Sequence, residues 1–191
     1  MNIHSSDSTG QGITLISAKG ESLLNNVFID NMRNLSMHGW ELLGAVNFYE
    51  SDVIISNCLF SNNFSEDALN IMRSKFELKN TDFKNTQSDA FDGDFTTGTI
   101  VHCSFHDIAG DAIDISGSDL KASFTTIVNV DDKALSVGEK STVEAINLRI
   151  EDVGIGVASK DLSRVSLNHT TISGAKHTAL AAFTKKAEYG P

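Results

Sequence analysis

Residues 55–107 read ISNCLFSNNFSEDALNIMRSKFELKNTDFKNTQSDAFDGDFTTGTIVHCSFHD. Within this stretch Phe60, Phe83 and Phe105 recur after steps of 23 and 22 residues. Outward from it the same position is filled by Ile127, Ile150 and Ile172, at further steps of 22, 23 and 22. Five residues before each member stand Ile55, Leu78, Ile100, Ala122, Ala145 and Leu167. Two residues after each stand Asn62, Asn85, Asp107, Asn129, Asp152 and Gly174. Phe28 with Asp30 fits the same frame after one insertion, and the alignment of Ala45–Phe48 with Ala68–Ile71 places that insertion at about residues 31–44. A sustained period of this length marks stacked structural repeats.

Inside each repeat the apolar residues alternate over short runs, as in Phe76-Glu77-Leu78 and Ile113-Asp114-Ile115. Period two means strands, and no stretch holds a helical period. Each repeat is therefore several short strands joined by turns, and stacking them buries one apolar column. The coil length, the inward aliphatic and aromatic stacks and the Asn/Asp position at one turn resemble the right-handed parallel β-helix of pectate lyases and related proteins. The resemblance covers nearly the whole chain and implies an all-β solenoid of about seven coils of 22–23 residues, residues 1–191 forming a single domain. A leucine-rich solenoid is the rival, but its asparagine and helix pattern is absent. An open solenoid exposes a strand edge and an apolar column at each end. No amphipathic helix stands beside Gly10-Gln11-Gly12 or in the closing KKAEYGP, so we expect flanking segments of a larger chain or an end-to-end homo-oligomer.

Composition narrows the function classes. Fifteen basic against twenty-five acidic residues give a net charge of −10, which argues against nucleic acid or an anionic membrane surface as an unaided partner. No run of about 18 apolar residues is present to span a bilayer. The opening MNIHSSDSTGQG has neither the basic nor the apolar region of a secretory leader. Cys58 and Cys103 share one inward position, but Thr81 holds that position in the coil between them. Backbones two rungs apart lie roughly 10 Å from each other, too far for a disulfide, so both are expected to be buried free thiols.

The frame also identifies side chains that point outward. Between the inward pairs Leu69/Ile71, Phe91/Gly93, Ile113/Ile115 and Leu135/Val137 lies a row reading Thr14, Asn47, Asn70, Asp92, Asp114, Ser136, Gly156, Ala181. Just before the same strand a second row reads Asp67, Asp89, Asp111, Lys133. Carboxylates stacked about 5 Å apart repel unless screened, protonated or bridged. Asp before a strand also serves as a turn residue that accepts backbone N–H bonds. Asp in mid-strand is disfavoured by strand propensity and calls for another reason. Oxygen-only ligation by Asp67, Asp89, Asp92, Asp111 and Asp114 would suit Ca²⁺.

The segments Ser88–Asp94 (SDAFDGD) and Gly110–Ile115 (GDAIDI) are similar to the Asp-rich Ca²⁺ segments of pectate lyases that employ a lysine base. That resemblance implies a Ca²⁺-dependent polyuronate lyase, with Lys133 as the first candidate for the base and Lys140 as the second. Lys140, Lys160 and Lys185 read either as a solvated edge or as an anion-binding strip beside the carboxylates. Trp40, inside the insertion with His38 and Glu41 nearby, is a candidate for stacking on a sugar, with Asn70, Lys160 and Lys185 as further substrate contacts. The polygalacturonase and alginate-epimerase motifs are absent, and no arginine falls in the patch. The sequence thus predicts a protein of the cell exterior or surface that interacts with an acidic polysaccharide. A non-catalytic carbohydrate-binding or structural module and a glycoside hydrolase using paired Asp are the alternatives.

Overall fold

The chain turns three corners per coil, and the residues at those corners explain much of its composition. The structure, a computed structural model, describes residues 1–37 and 39–189. Its strands form three parallel faces. Sheet 1 contains Asn2–His4, Phe28–Asp30, Leu59–Ser61, Asp82–Thr86, Ser104–Ile108 and Thr171–Ser173. Sheet 2 contains Ile13–Ile16, Gly44–Tyr49, Asp67–Met72, Asp89–Asp94, Ile113–Ser116 and Thr178–Phe183. Sheet 3 runs through Ser22–Asn25, Val53–Ser56, Lys75–Lys79, Thr97–Val101, Asp119–Ser123, Thr142–Ile146 and Arg164–Asn168. Two long strands, Thr126–Gly138 and Arg149–Lys160, pass round the corner from sheet 1 to sheet 2 without a break. They complete eight rungs on each of those sheets against seven on sheet 3, a right-handed parallel solenoid with one coil more than the sequence suggested on two of its faces.

At most corners one residue adopts the left-handed conformation, which Asn, Asp and Gly tolerate best, and at Glu139-Lys140 and Asp161-Leu162 two do. Between sheets 1 and 2 the left-handed residues are Asn31, Asn62, Asn85, Asp107, Asn129, Asp152 and Gly174. All but Asn31 are the small polar position read from the sequence; in that coil the frame shifts by one residue from the expected Phe28 and Asp30, since Ile29 pairs with Phe60 and is buried while Phe28 is exposed. Their side chains hydrogen-bond along the axis, as from Asn85 Nδ2 to Asn62 Oδ1 at 2.6 Å and from Asn129 Nδ2 to Asp107 Oδ1 at 2.7 Å. The corner between sheets 3 and 1 uses Asn57, Asn80 and Asn147 but also His102 and Phe124. The corner between sheets 2 and 3 uses Glu50, Arg73, Phe95 and Gly117.

Inside, register converts the repeat into columns. The rings of Phe60, Phe83 and Phe105 stack at 4.7 and 4.8 Å, nearly the spacing of parallel strands. Gly98 leaves room for Phe76, whose ring carbons lie 2.3–2.6 Å from where a Cβ would stand. Under the corner between sheets 2 and 3 runs a buried hydroxyl ladder that sequence reasoning missed. The backbone N–H groups of Ala18, Ser51, Thr96, Ser118 and Ser141 donate to the hydroxyls of Ser51, Ser74, Ser118, Ser141 and Ser163 one coil higher. The inner rungs thereby satisfy backbone donors that are buried from water.

Cys58 and Cys103 are buried and free, as expected. They occupy a second such column with Thr81 and Thr125, and both pairs bond the carbonyl two residues back, Cys58 Sγ to Ser56 O at 3.2 Å and Thr81 Oγ1 to Lys79 O at 2.9 Å. Burial pushes both thiols up, Cys103 to about 11. In the insertion, Ser36–Met37 and Trp40–Glu41 form an antiparallel hairpin, the only such pair among the described residues; His38 lies outside them. No described helix is long and apolar enough to cross a membrane.

Candidate functional site

Sheet 2 presents its outward residues as one continuous row. Strand register aligns Thr14, Asn47, Asn70, Asp92, Asp114 and Ser136, as the period predicts. Beyond Ser136 the row continues to Ala158 and Ala181 rather than to Gly156. A step of 22 residues from Ser136 leads to Ala158, so Gly156 stands two residues short of the row; a separate one-residue irregularity lies earlier, between Val130 and Lys133, where the two long strands turn the corner. Gly154 makes that corner possible, since a Cβ there would stand 2.4–2.5 Å from the carbonyls of Asp131 and Asp132.

The row at the start of sheet 2 divides its labour. Asp89 Oδ1 accepts the backbone N–H of Asp111 at 2.7 Å, and Asp111 Oδ1 accepts that of Lys133 at 2.9 Å. These two carboxylates therefore fill the turn role foreseen for them. Gly110 admits the first of them, because a Cβ there would fall 2.0 Å from Asp89 Oδ1. Asp67 is buried and accepts from Asn70 Nδ2 at 2.9 Å. Asn70 Nδ2 also reaches Asp92 Oδ2 at 3.0 Å, so one amide bridges two carboxyl groups.

The mid-strand pair is different. Among the described residues no backbone N–H serves Asp92 or Asp114, and Asp114 Oδ1 is buried without a hydrogen-bond partner. The nearest cation to it is Lys160 Nζ at 3.8 Å. Lys160 is 6% exposed; its stem lies across Gly138, and its ammonium donates to Ser136 Oγ at 2.7 Å. The sequence grouped Lys160 with an outer lysine strip, but the structure turns it in beneath the carboxylates. Its signal was the absent side chain at Gly138, the facing residue one coil below.

Crowding governs protonation here. Burial, reinforced by Asp67, Asp94 and Asp114, pushes the Asp92 carboxyl up to about 9. Burial raises Asp67 to about 7 against the bond from Asn70, and Asp89 to about 6. Asp94 and Asp111 shift the same way, again chiefly through burial. Burial opposes the charge of Lys133, yet Asp132 at 2.6 Å and Asp111 at 3.2 Å outweigh it and hold its ammonium form. Seven carboxyl groups, Asp132 included, thus face two ammonium groups, and the balance is met partly by bound protons. The carboxylate oxygens of Asp89, Asp111 and Asp114 also come within 4.8 Å of one another, a spacing that one cation could bridge.

The other residues singled out from the sequence lie apart. Lys140 sits at the corner between sheets 2 and 3, with Nζ 5.7 Å from the Tyr189 ring. Lys185 is exposed, and among the described residues it donates only its backbone N–H, to Asp161 Oδ1 at 2.6 Å. Trp40 is exposed on the hairpin that leads into sheet 2. A separate groove of about 470 Å³ crosses sheet 3, lined by Lys75, Phe76, Thr97, Thr99 and Lys121, on a different face from the carboxylates.

A family model described as a right handed beta helix region matches residues 45–188. The chain belongs to the right-handed β-helix family. Among solved structures, this β-helix is similar to the Agl-KA catalytic domain at 13% identity, covering 84% of this chain and 42% of that one, with a TM-score of 0.40. It is also similar to the catalytic domain of a GH87 alpha-1,3-glucanase in complex with nigerose, at 8% identity over 94% of this chain and 57% of that one, with a TM-score of 0.37. The β-helix thus spans about half the length of these two domains. No curated protein matches the chain.

Proposed function

We propose that this β-helix protein hydrolyses a polysaccharide, with Asp92 donating a proton to the glycosidic oxygen and the Asp114 carboxylate acting opposite it on water or on the anomeric carbon. The observation that carries this reading is the contrast between two neighbours on adjacent rungs. Asp92 keeps its proton up to about pH 9, while Asp114 faces the buried Lys160 ammonium at 3.8 Å. A carboxyl group that holds its proton, beside a second one that faces a cation, suits acid–base cleavage of a glycoside. A lysine-based elimination is less well supported, because Lys133 is held protonated by Asp111 and Asp132 and a base must offer a free amine. The excess of carboxyl groups also favours a neutral glycan over the polyuronate expected from the sequence.

A second reading has its own support. The oxygens of Asp89, Asp111 and Asp114 converge, and Asp114 Oδ1 lacks a hydrogen-bond partner. A hard cation such as Ca²⁺ held there would reverse the local charge and admit an acidic polysaccharide, for binding or for elimination.

One assay separates these. Reducing ends are measured after incubation with soluble α-glucan, β-glucan, galactan and polygalacturonate, with either EDTA or Ca²⁺ present. Hydrolysis predicts product in EDTA and a fall of about 10²–10⁴-fold in Asp92→Asn and in Asp114→Asn. Product only with Ca²⁺, absorbing in the ultraviolet as unsaturated ends, would instead support the lyase. Glycan affinity with no product from any polysaccharide would leave a binding module. The anomeric configuration of a hydrolytic product tells whether Asp114 acts on water or on carbon.

A further inference from the structure

The strand Asp89–Asp94 ends beside an aromatic residue in an unfavourable backbone state. Phe95 has φ +54°, a left-handed conformation that is disfavoured for a bulky side chain, and 54% of its surface is exposed. Its ring contributes nothing to the core. In the same corner column the neighbouring coils carry Ser17, Glu50, Arg73 and Gly117, polar or glycine residues that suit such a turn.

The ring is nonetheless held in place. The guanidinium carbon of Arg73, one coil below, lies 5.8 Å from the Phe95 ring and 5.9 Å from the Tyr49 ring. Arg73 Nη1 donates to Tyr49 Oη at 2.7 Å, which fixes the plane of the guanidinium. One coil above, Gly117 offers no side chain; a Cβ there would come within 2.7 Å of the ring. An exposed aromatic ring is thus braced from one side, and its upper neighbour is pared away.

The position matters as much as the pose. Asp94, its predecessor in the chain, pairs in register with Met72 and Ser116 at the end of the strands that carry Asp92 and Asp114. The opposite flank of sheet 2 carries two further exposed aromatic residues, Trp40 at 58% and Phe64 at 42%, the latter under the Arg33 guanidinium at 5.9 Å. Six residues of strand separate the flanks by roughly 20 Å. A chain of pyranose rings laid along the strands would meet an aromatic ring on each side of the carboxylate pair.

We propose that Phe95, braced by Arg73 and Tyr49, is a stacking platform for one pyranose ring of a neutral polysaccharide bound across sheet 2. The apolar C–H face of the sugar covers the ring and directs the next glycosidic bond toward Asp92 and Asp114. This inference rests on the hydrolytic reading for its placement, but sugar affinity can be measured without turnover. The molecule supplies its own control in Phe124. That residue shares the left-handed φ at +51° and an exposure of 53%, and it stacks on His102 at 5.0 Å. It sits on the corner between sheets 3 and 1, away from the carboxylates.

The test is gel retardation in soluble α-glucan, β-glucan, galactan, xylan or polygalacturonate. It compares the wild type, Phe95→Asn, Phe95→Tyr, Phe124→Asn and the double variant Asp92→Asn/Asp114→Asn. Asparagine suits the left-handed backbone, so melting temperatures should hold or rise. A neutral polysaccharide that retards the wild type should retard Phe95→Tyr, Phe124→Asn and the double variant alike, whereas Phe95→Asn should lose about tenfold in affinity. Retardation of Phe95→Asn equal to wild type, or equal losses in Phe95→Asn and Phe124→Asn, overturns the platform. If the pattern holds but no protein releases reducing ends, the platform stands and the hydrolytic reading falls. Product formation with unchanged KM in Phe95→Asn leaves hydrolysis standing without the platform. Neither retardation nor product overturns both.

Discussion

Replacing Asp92 by asparagine should make the protein more stable at neutral pH and no more stable in acid. In the folded chain this carboxyl holds its proton up to about pH 9, against an ordinary value of 3.8, because burial and the carboxyl groups of Asp67, Asp94 and Asp114 disfavour its charge. The native state therefore binds a proton that the unfolded state releases above about pH 4. Stability contributed in this way is complete below the unfolded value and declines as pH rises toward the folded one. One pKa unit corresponds to about 1.36 kcal/mol, so the interval from 3.8 to pH 7 sets an upper bound of about 4 kcal/mol. Asp92 retains some contact with water, and a realistic share is about 2 kcal/mol. The amide removes this penalty, and the row already accepts amides at Asn47 and Asn70. Urea midpoints of wild type and Asp92→Asn, taken at pH 4.5, 6, 7.5 and 9, should converge at the lowest pH and separate progressively above it. Parallel curves, or a variant weaker than wild type at pH 7.5, would refute the crowding on which both the protonation and the proposed proton donor depend. The same substitution should remove activity, so stability and function trade against one another at a single side chain.

Other expectations concern the column interior. Gly98→Ala drives a methyl group into the Phe76 ring and should lower stability by about 1–3 kcal/mol in a urea titration. Ser118→Ala removes the acceptor of the Thr96 N–H at 2.8 Å and leaves that buried donor unpaired, for a loss of about 1–3 kcal/mol, whereas Ser166→Ala on the outer face of sheet 3 should change little. Cys58 and Cys103 should resist a thiol reagent in the native state at pH 8 and both react once urea unfolds the chain; rapid native labelling of either would contradict their burial.

The fold was legible because a single column, Phe60 to Ile172, keeps its period through every coil, and an inward stack tolerates only apolar residues. The mid-strand carboxylates were legible for the opposite reason, since Asp92 and Asp114 violate strand propensity. Gly156 was placed in the outward row at a step of 20 from Ser136, whereas the 22-residue period leads to Ala158, and the small residues Gly154, Gly156 and Ala158 gave no side-chain signal to fix the frame there. Ser51, Ser74, Thr96, Ser118, Ser141 and Ser163 repeat at the same 22- or 23-residue steps as the aromatic column, yet serine and threonine are so common in turns that the ladder did not stand out. Lys160 was read as a surface cation because side-chain direction depends on the empty place at Gly138, which only the packed coils reveal. Phe95 escaped notice altogether, as nothing in local sequence predicts a bulky ring in a left-handed corner.

The hydroxyl ladder has a direction, with the N–H groups of Ala18, Ser51, Thr96, Ser118 and Ser141 all giving upward to the next coil. A whole coil brings one donor and one acceptor, so copying it in tandem joins cleanly above and below, while a fragment of a coil leaves one of the two stranded. The natural unit of growth or loss for such a protein is therefore one full circuit of 22 or 23 residues. Gain or loss of one circuit would shift every later side chain along the axis by about 4.8 Å without rotating it to another face. A solenoid built this way can lengthen, shorten or duplicate its carboxylate row in single genetic events, while the interior needs no rearrangement.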